Sequence, residues 1–277
     1  MKVVPMIFNT EMVKALLDGR KTVTRRPLNI TEGWDLKDRM LTKITSSHPK
    51  KGKWGALVRK ETFDDKYQHD IITAPCFVGD LIYVRETFRL FNNSDECGCS
   101  DFCVCPPSGT PIYLATYGDD SESKWKPSIH MPRLASRLTL KVTDVRIERV
   151  QDITEEQCWE EGIEHVDGQF DIHQLSEIAK KFEGTHEDAK SLFACLWDSI
   201  YQNWNQNPYV WVIEFEVIHQ NVDEYLESVK GADENSEYYC QCDNHDCGNW
   251  YEVSEVGVTC KECRNGKLYP QDVEPWE

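Results

Sequence analysis

Residues Leu16-Leu17-Asp18-Gly19-Arg20-Lys21-Thr22-Val23-Thr24-Arg25-Arg26 combine the end of an apolar helix, a glycine and a short run of cations and hydroxyls. The preceding segment, 11–18, carries Met12, Ala15, Leu16 and Leu17 at the spacing of one helix face. Thr10 occupies the expected N-cap position, and Gly19 stands where the chain must leave the helix with a positive φ. The stretch therefore predicts a helix that ends at the glycine and leads into a basic segment.

The segment 21–26 is predicted to be extended, so that its side chains alternate between two faces. One face carries Lys21, Val23 and Arg25, and the other carries Thr22, Thr24 and Arg26. A bend at the helix exit can still bring Lys21 and Thr24 to one opening. The alternative interpretation is a solvated basic turn, because short basic runs are common on protein surfaces.

A family resemblance rests on this stretch and on others that follow it in order. The pattern Gly19-x-Lys21-x4-Arg26 resembles the signature of the ASCH domain, a small β-barrel related to the PUA RNA-binding fold. Further similar stretches are residues 78–86, 127–133, 142–163 and 211–215. The sequences of these stretches resemble those of the ASCH proteins that are common in bacteriophage genomes. The resemblance implies a PUA-like barrel over residues 1–218.

Hydrophobic periodicity supports the same fold class. Strands are predicted at residues 3–8, 81–86, 111–117, 138–150 and 209–218, and helices at 11–18, 154–161 and 187–201. The apolar parity of the fourth strand changes between Val142 and Val145, as a β-bulge would produce. Thr154 and Gln157 form a capping box, and Gly162 ends that helix. The order of elements fits an α+β barrel with flanking helices.

Two segments interrupt this pattern, and a third follows it. Residues 27–60 are polar, lysine-rich and poorly periodic, which predicts a long surface insertion, and a cysteine-bearing insertion covers about 91–110. Residues 219–237 are acidic and polar and are predicted to be a linker. Residues 238–277 then form a small separate module.

Some small ASCH proteins hydrolyse N(4)-acetylcytidine, and this chain resembles them at three places. The resemblance implies that their catalytic lysine corresponds to Lys21, their threonine to Thr24 and their glutamate to Glu161. Amide cleavage needs an attacking group, a proton shuttle and stabilisation of the oxyanion. Thr24 can attack with a neutral Lys21 as base, while Glu161 activates water or protonates the leaving amine. The alternative is that the trio only maintains the shape of a pocket.

Other residues are candidates for binding RNA or a modified nucleoside. Glu86 continues the apolar face of a predicted strand, which is typical of a barrel mouth. His130 and Arg133 belong to the loop 125–137, which in ASCH terms lies beside the barrel cleft. Together with the basic stretch, the candidate binding residues are Gly19, Arg25, Arg26, Glu86, His130 and Arg133. The alternative for the loop is a packed connection made rigid by its prolines.

Cysteines indicate structural zinc at two places. Cys97, Cys99, Cys103 and Cys105 form a C-x-C-x3-C-x-C pattern with the four thiolates that a structural Zn²⁺ site requires. Paired or free cysteines are the alternative there. In the C-terminal module, two thiol knuckles flank a predicted hairpin, as in a zinc ribbon. The predicted ribbon ligands are Cys242, Cys247, Cys260 and Cys263, with Cys240 and His245 as substitutes.

The charge of the chain is unevenly distributed. The net charge is −17, but residues 1–150 hold 24 Lys and Arg against 19 Asp and Glu, whereas residues 151–277 hold 7 against 29. A nucleic acid is therefore expected to contact the first half. The acidic ribbon is expected to engage a protein, which leaves a second hypothesis of a non-catalytic phage protein that binds a host protein. The absence of a signal-peptide pattern and of a long apolar run predicts a cytoplasmic location without a membrane partner.

Overall fold

The structure is a computed structural model of the 277-residue chain. It describes residues 1–45, 49–63, 66–98, 103–119, 124–164, 172–180, 185, 187–234, 238–242, 250–253 and 268–270. The chain divides into two compact units, Met1–Val222 and Asp223–Glu277. Each unit mixes helix and strand, as the predicted α+β class requires.

The strands alternate with short helices along the chain. The strands are β1 (Val3–Ile7), β2 (Val23–Pro27), β3 (Asp35–Lys43), β4 (Trp54–Glu61), β5 (Tyr67–Thr73), β6 (Leu81–Arg85), β7 (Phe88–Leu90), β8 (Pro111–Tyr113), β9 (Thr139–Arg149), β10 (Tyr209–Ile218), β11 (Tyr238–Cys242), β12 (Trp250–Val253) and β13 (Leu268–Pro270). The helices are α1 (Thr10–Leu17), α2 (Asn93–Glu96), α3 (Leu114–Tyr117), α4 (Glu155–Glu160), α5 (Ile172–Ala179), α6 (Ala189–Tyr201) and α7 (Val222–Glu234).

A five-stranded sheet organises the first unit, with strand order β1-β6-β9-β10-β2. The β1–β6 pair is parallel and the other pairs are antiparallel. The register between β9 and β10 shifts at Glu214 and Phe215, which pair with Asp144 and Val142 and leave Thr143 as the extra residue. This shift confirms the bulge predicted from the apolar parity.

The ladder of this sheet is open among the described residues, so hydrogen bonding between strands does not close a barrel there. β1 and β2 are the two edges. A side chain nevertheless joins them, because Arg26 of β2 donates from Nη2 to the carbonyl of Ile7 at 2.7 Å. Its guanidinium also lies 5.0 Å from the centre of the Phe8 ring. The two edges therefore approach each other at one end without pairing.

The two faces of the sheet bury separate apolar clusters. Strand alternation in β10 sends Trp211, Ile213 and Phe215 into one cluster, and Val210 and Val212 into the other. The first cluster includes Phe8, Val13, Leu16, Ile82, Val84, Leu140 and Val142. The second includes Val23, Val150, Ile153, Cys158, Leu192, Phe193, Trp197 and Trp204. Helix α6 supplies much of the second cluster, as its predicted amphipathic pattern requires.

Two helix starts can be compared with their predictions. The side chain of Asn9 accepts from the backbone N–H of Met12 at 2.8 Å, so Asn9 is the N-cap of α1 and the prediction of Thr10 was wrong by one residue. The capping box of Thr154 and Gln157 at α4 is confirmed.

Two segments differ from their predictions. The insertion 27–60 contains β3 and β4, which form a three-stranded antiparallel sheet with β5. Its face toward the main core uses only a few apolar positions, such as Leu36, Leu41 and Ala56. The predicted strand 111–117 is β only up to Tyr113, because the chain then turns into α3 and ends at Gly118, whose φ is +77°.

The second unit contains part of α7 and a sheet of order β12-β11-β13. The predicted acidic linker, 219–237, therefore includes a helix. Among the predicted ribbon ligands, Cys242 lies at the end of β11. Cys247, Cys260 and Cys263, and the substitute His245, lie outside the described residues.

We predict that Gly162→Ala destabilises the first unit by roughly 2–5 kcal/mol, because two effects add. The φ of Gly162 is +82°, and an added Cβ would lie 2.5 Å from the Cβ of Ala15 and 3.0 Å from that of Lys21. The matched control is Gly19→Ala, where φ is +71°. An added Cβ at Gly19 would have no atom of the described residues within 4 Å, apart from its chain neighbours. Backbone strain alone should cost the control about 1–2 kcal/mol. Urea titrations measure the free energy of unfolding of both variants, and equal losses of free energy would contradict the close packing of Gly162.

Candidate reactive centre and binding residues

The C-terminal end of α4 is attached by its backbone to the segment that enters β2. Lys21 and Glu161 form an isolated antiparallel bridge. The N–H of Thr22 donates to the carbonyl of Glu160 at 2.9 Å, and the N–H of Lys21 donates to the carbonyl of Ala15 in α1 at 3.0 Å. These backbone bonds alone place Lys21 beside Glu161.

The side chains of Lys21 and Glu161 meet directly. Lys21 Nζ donates to Glu161 Oε2 at 2.6 Å and to the carbonyl oxygen of Glu161 at 2.8 Å. Lys21 is fully buried and Glu161 is 4% exposed. The two residues are 140 positions apart in the chain, and the expected contact between them is present.

Arg25 is a further member of this centre. Its Nη1 contacts Glu161 Oε1 at 3.3 Å, while its Nη2 donates to Gln157 Oε1 at 2.8 Å and to Glu148 Oε2 at 3.3 Å. Arg25 is 3% exposed. The sequence predicted Arg25 as a binding residue of the basic stretch, whereas the structure packs it inside as the second cation on Glu161. Its place on the same strand face as Lys21 is the sequence signal for this role.

The ion pairs continue from Arg25 to the surface. Glu148 accepts from Arg146 Nε at 2.6 Å, and Arg146 Nη1 contacts Asp144 at 2.9 Å and also Glu214. Opposite charges therefore alternate from Lys21, through Glu161, Arg25 and Glu148, to Arg146. Residues of β2, α4, β9 and β10 are joined in one network on one face of the sheet.

Burial perturbs the lysine of this centre. Removal of the Lys21 ammonium from water lowers its pKa below the usual 10.5, and the nearby Glu161 only partly offsets this effect. The positive charges of Arg26 and Arg25 lower the pKa further. A lysine whose proton is less tightly held is suited to exchange protons with a ligand.

Thr24 lies apart from this pair. In the register of β2 and β10, Thr24 pairs with Ile213 and Arg25 pairs with Val212. Directly opposed residues share a sheet face, and Ile213 and Val212 belong to different core clusters. Thr24 is buried on the face opposite Arg25, and within the described residues its hydroxyl makes no hydrogen bond to Lys21 or Glu161.

The other two residues of the signature stretch have structural positions. Gly19 adopts a φ of +71° and its N–H donates to the carbonyl of Leu16 at 3.1 Å, so it forms the predicted turn after α1. Arg26 joins the two sheet edges, as described above, and its Nη1 also contacts the hydroxyl of Tyr201 at 3.4 Å.

Glu86 is engaged inside the protein. Arg137 holds both of its carboxylate oxygens, each at 2.9 Å, and Glu86 is buried. Arg137 also donates to Thr116 Oγ1 at 2.7 Å and lies 4.0 Å from the centre of the Tyr113 ring. The predicted binding residue is therefore half of a bidentate ion pair that attaches the loop before β9 to the end of β6.

His130 lies on a cleft of about 600 Å³. The residues that line it are Phe88, Leu90, Lys126, His130 and Pro132. None of them belongs to the centre around Lys21. Arg133 follows Pro132 and begins a short 3-10 turn, Arg133–Ala135, and its carbonyl accepts from Asn221 at 3.0 Å.

Three thiols of the cysteine insertion lie together. The sulfur atoms of Cys97, Cys103 and Cys105 are all within 4.8 Å of one another, and those of Cys97 and Cys103 are 3.4 Å apart. All three are free of disulfides. Cys99, the fourth predicted ligand, lies outside the described residues. This arrangement is close enough to bind a metal ion.

Comparison of the chain with protein-family models, with curated proteins and with solved structures finds no match. In the part of the chain that the structure describes, no helix has the length and apolar character needed to cross a membrane.

We predict that the Lys21 amine titrates below 10.5 and that Glu161→Gln lowers its pKa further, because the glutamate charge favours the protonated lysine. NMR of protein carrying ¹³Cε-labelled lysine measures both values, with Lys21→Met to assign the signal. Between the lowered pKa and 10.5 the unfolded chain binds the extra proton, so the contribution of Lys21 to the free energy of unfolding rises with pH there. A Lys21 signal that titrates with the exposed lysines would contradict the desolvation.

Proposed function

We propose that Lys21 and Glu161 are the reactive pair of an ASCH-type protein that acts on a modified nucleoside, an N-acylated cytidine being the first substrate to test. The observation that carries the proposal is the direct contact of a fully buried lysine with a buried carboxylate, 2.6 Å apart. Strongly desolvated ionisable pairs are more frequent at functional sites than elsewhere. Both residues also correspond to the positions that the resemblance marks as catalytic.

The PUA-like, barrel-type fold is part of the same proposal. Its support is the order of the ASCH-like stretches and the role of Arg26, the last residue of the signature, in joining the edges β1 and β2. The signature residues Lys21 and Arg26 each make a long-range contact that determines how β2 is placed.

The chemistry assigns a task to each member of the pair. The Glu161 carboxylate takes a proton from a water molecule, and the oxygen of that water attacks the acyl carbon of the substrate. Lys21 supplies positive charge and N–H donors to the oxyanion that forms, and the leaving cytosine amine receives the proton as the carbon–nitrogen bond breaks. The products are cytidine and a carboxylic acid. Thr24 has no task in this scheme, because it is buried on the face of β2 opposite Arg25.

Access is the main physical requirement of this scheme. Lys21 and Glu161 are enclosed between α1, α4 and β2. A substrate can reach them only when the end of α4 moves away from the entry to β2.

We predict that the purified protein converts N(4)-acetylcytidine to cytidine and acetate, and that Lys21→Met and Glu161→Gln each reduce the rate at least 100-fold, the scale expected for loss of acid–base catalysis. Chromatography of the nucleosides measures the rate. The matched control is Lys14→Met, since Lys14 is a lysine of α1 with a side chain that is 44% exposed, and its ion pair among the described residues is with Glu11 at 3.1 Å.

Folding of each variant is checked by circular dichroism and thermal unfolding, since Lys21 is buried. If the folded wild-type protein releases no cytidine from this substrate, the N-acylcytidine assignment is wrong. If the two centre variants react as fast as Lys14→Met, the pair is structural and the catalytic proposal fails.

For the cysteine insertion we propose a structural Zn²⁺ held by Cys97, Cys103 and Cys105, with Cys99 as the fourth ligand. The support is the proximity of the three described thiols and the preference of zinc for four thiolates. A second zinc ion at Cys242, Cys247, Cys260 and Cys263 is proposed from the spacing of the ribbon.

We predict between one and two equivalents of zinc in the full-length protein, measured by elemental analysis after gel filtration. Replacing both Cys97 and Cys103 by serine should remove up to one equivalent, because two thiolates cannot complete the site. The control is Cys195→Ser, a buried cysteine of α6 outside the cluster. A wild-type chain without zinc would refute both sites, and no change in the double variant would refute the first.

A further inference from the structure

The cleft beside β7 is built from the β7–β8 hairpin and the loop that precedes β9. Phe88, Leu90 and Pro132 give it apolar walls, while Lys126 and His130 supply its polar groups. The backbones of Phe88 and Lys126 bond to each other in both directions, at 3.2 and 2.7 Å, so the loop is fixed to β7. A volume of about 600 Å³ lies within the range of small-molecule sites and accommodates a nucleotide.

The surroundings of the cleft are basic, although the chain as a whole carries −17. Residues 85–90 and 124–137 contain six arginines and lysines and one acidic residue, Glu86. Arg137 neutralises that acid. Lys124 and Lys126 are exposed and make no ion pair within the described part of the chain. An anion is therefore attracted to this surface, whereas the acidic rest of the protein repels it.

Cations and aromatic rings are interleaved at the same place. Lys126 Nζ lies 6.0 Å from the centre of the Phe88 ring, and the guanidinium of Arg89 lies 5.4 Å from the Trp125 ring. The indole N–H of Trp125 is buried, and no group of the described residues accepts a hydrogen bond from it. Flat rings beside cations are the groups with which proteins bind unpaired bases and their phosphates.

We propose that this cleft binds a single-stranded nucleic acid, with one base against Leu90 and Pro132 above the buried Phe88, and the adjoining phosphates beside Lys126 and Lys124. A strand fits better than a free nucleotide because the positive charge extends beyond the cleft, along β7 and the loop, over more length than one phosphate occupies. The lining residues are separate from Lys21 and Glu161, so this binding does not depend on the reactivity proposed for that pair.

The test uses the full-length protein and a fluorescein-labelled ten-nucleotide oligouridylate, with fluorescence anisotropy as the readout. Lys126→Glu should weaken binding about tenfold and reduce its dependence on salt, because it removes a phosphate contact and adds repulsion. The matched control is Lys141→Glu, a lysine of β9 that is 47% exposed beside Glu216. The control should bind within about twofold of the wild type.

A second pair of variants tests the cleft without altering a lysine. Leu90→Glu places a carboxylate on the cleft wall and should also weaken binding, whereas Val78→Glu adds the same charge at an exposed apolar residue before β6 and should not. No binding by the wild type, or equal losses in each variant and its control, would overturn the proposal. Full displacement of the oligonucleotide by an equal concentration of uridine monophosphate would show that the cleft binds a single nucleotide, and would overturn the proposal of a single-stranded nucleic acid. If Lys126→Glu and Leu90→Glu lose oligonucleotide binding but still hydrolyse acetylcytidine, this site is separate from the reactive pair.

Discussion

The Glu161 carboxylate is shared between two buried cations, and the first unit depends on this arrangement. Lys21 binds one oxygen and Arg25 approaches the other. Each of the three charges loses its hydration on burial, and only the remaining partners compensate for that loss. Gln157 and Glu148 complete the shell around Arg25. The cluster therefore positions β2 and α4 and links them to β9, while it keeps a lysine at a perturbed pKa inside the fold.

A buried ion network of this kind joins three elements at a large cost in desolvation free energy. Apolar residues of similar volume often hold a core as well or better. The proposed function gives the lysine and the carboxylate a reason to occupy this position. The alternative is a purely structural network, in which Lys21 joins the entry of β2 to the end of α4. The position of Thr24 on the opposite face of β2 narrows the proposed chemistry to a lysine–carboxylate pair with water.

Much of the fold could be predicted from local sequence, because its signals are local. The bulge at Val142, the capping box at Thr154 and the positive φ of Gly19 and Gly162 each depend on a few neighbouring residues. Strand β3 was missed because most of its residues are exposed, and β4 because its buried and half-buried residues form one run, 54–58, without alternation of apolar and polar residues. The contact of Lys21 with Glu161 joins residues 140 positions apart, so no local pattern indicates it, and only the resemblance did. Nor did the sequence indicate that Glu86 would be held by Arg137, since that pairing arises from tertiary packing.

A crystal structure of the Lys21→Met variant with N(4)-acetylcytidine tests the central claim most directly, because it asks whether a substrate reaches this enclosed pair. In this complex we expect the end of α4 to separate from the entry to β2, and the acetyl group to lie within hydrogen-bonding distance of a water molecule held by Glu161. A ligand bound elsewhere, with Glu161 still enclosed against Arg25 and Met at position 21, would contradict the account and leave the cluster a structural element.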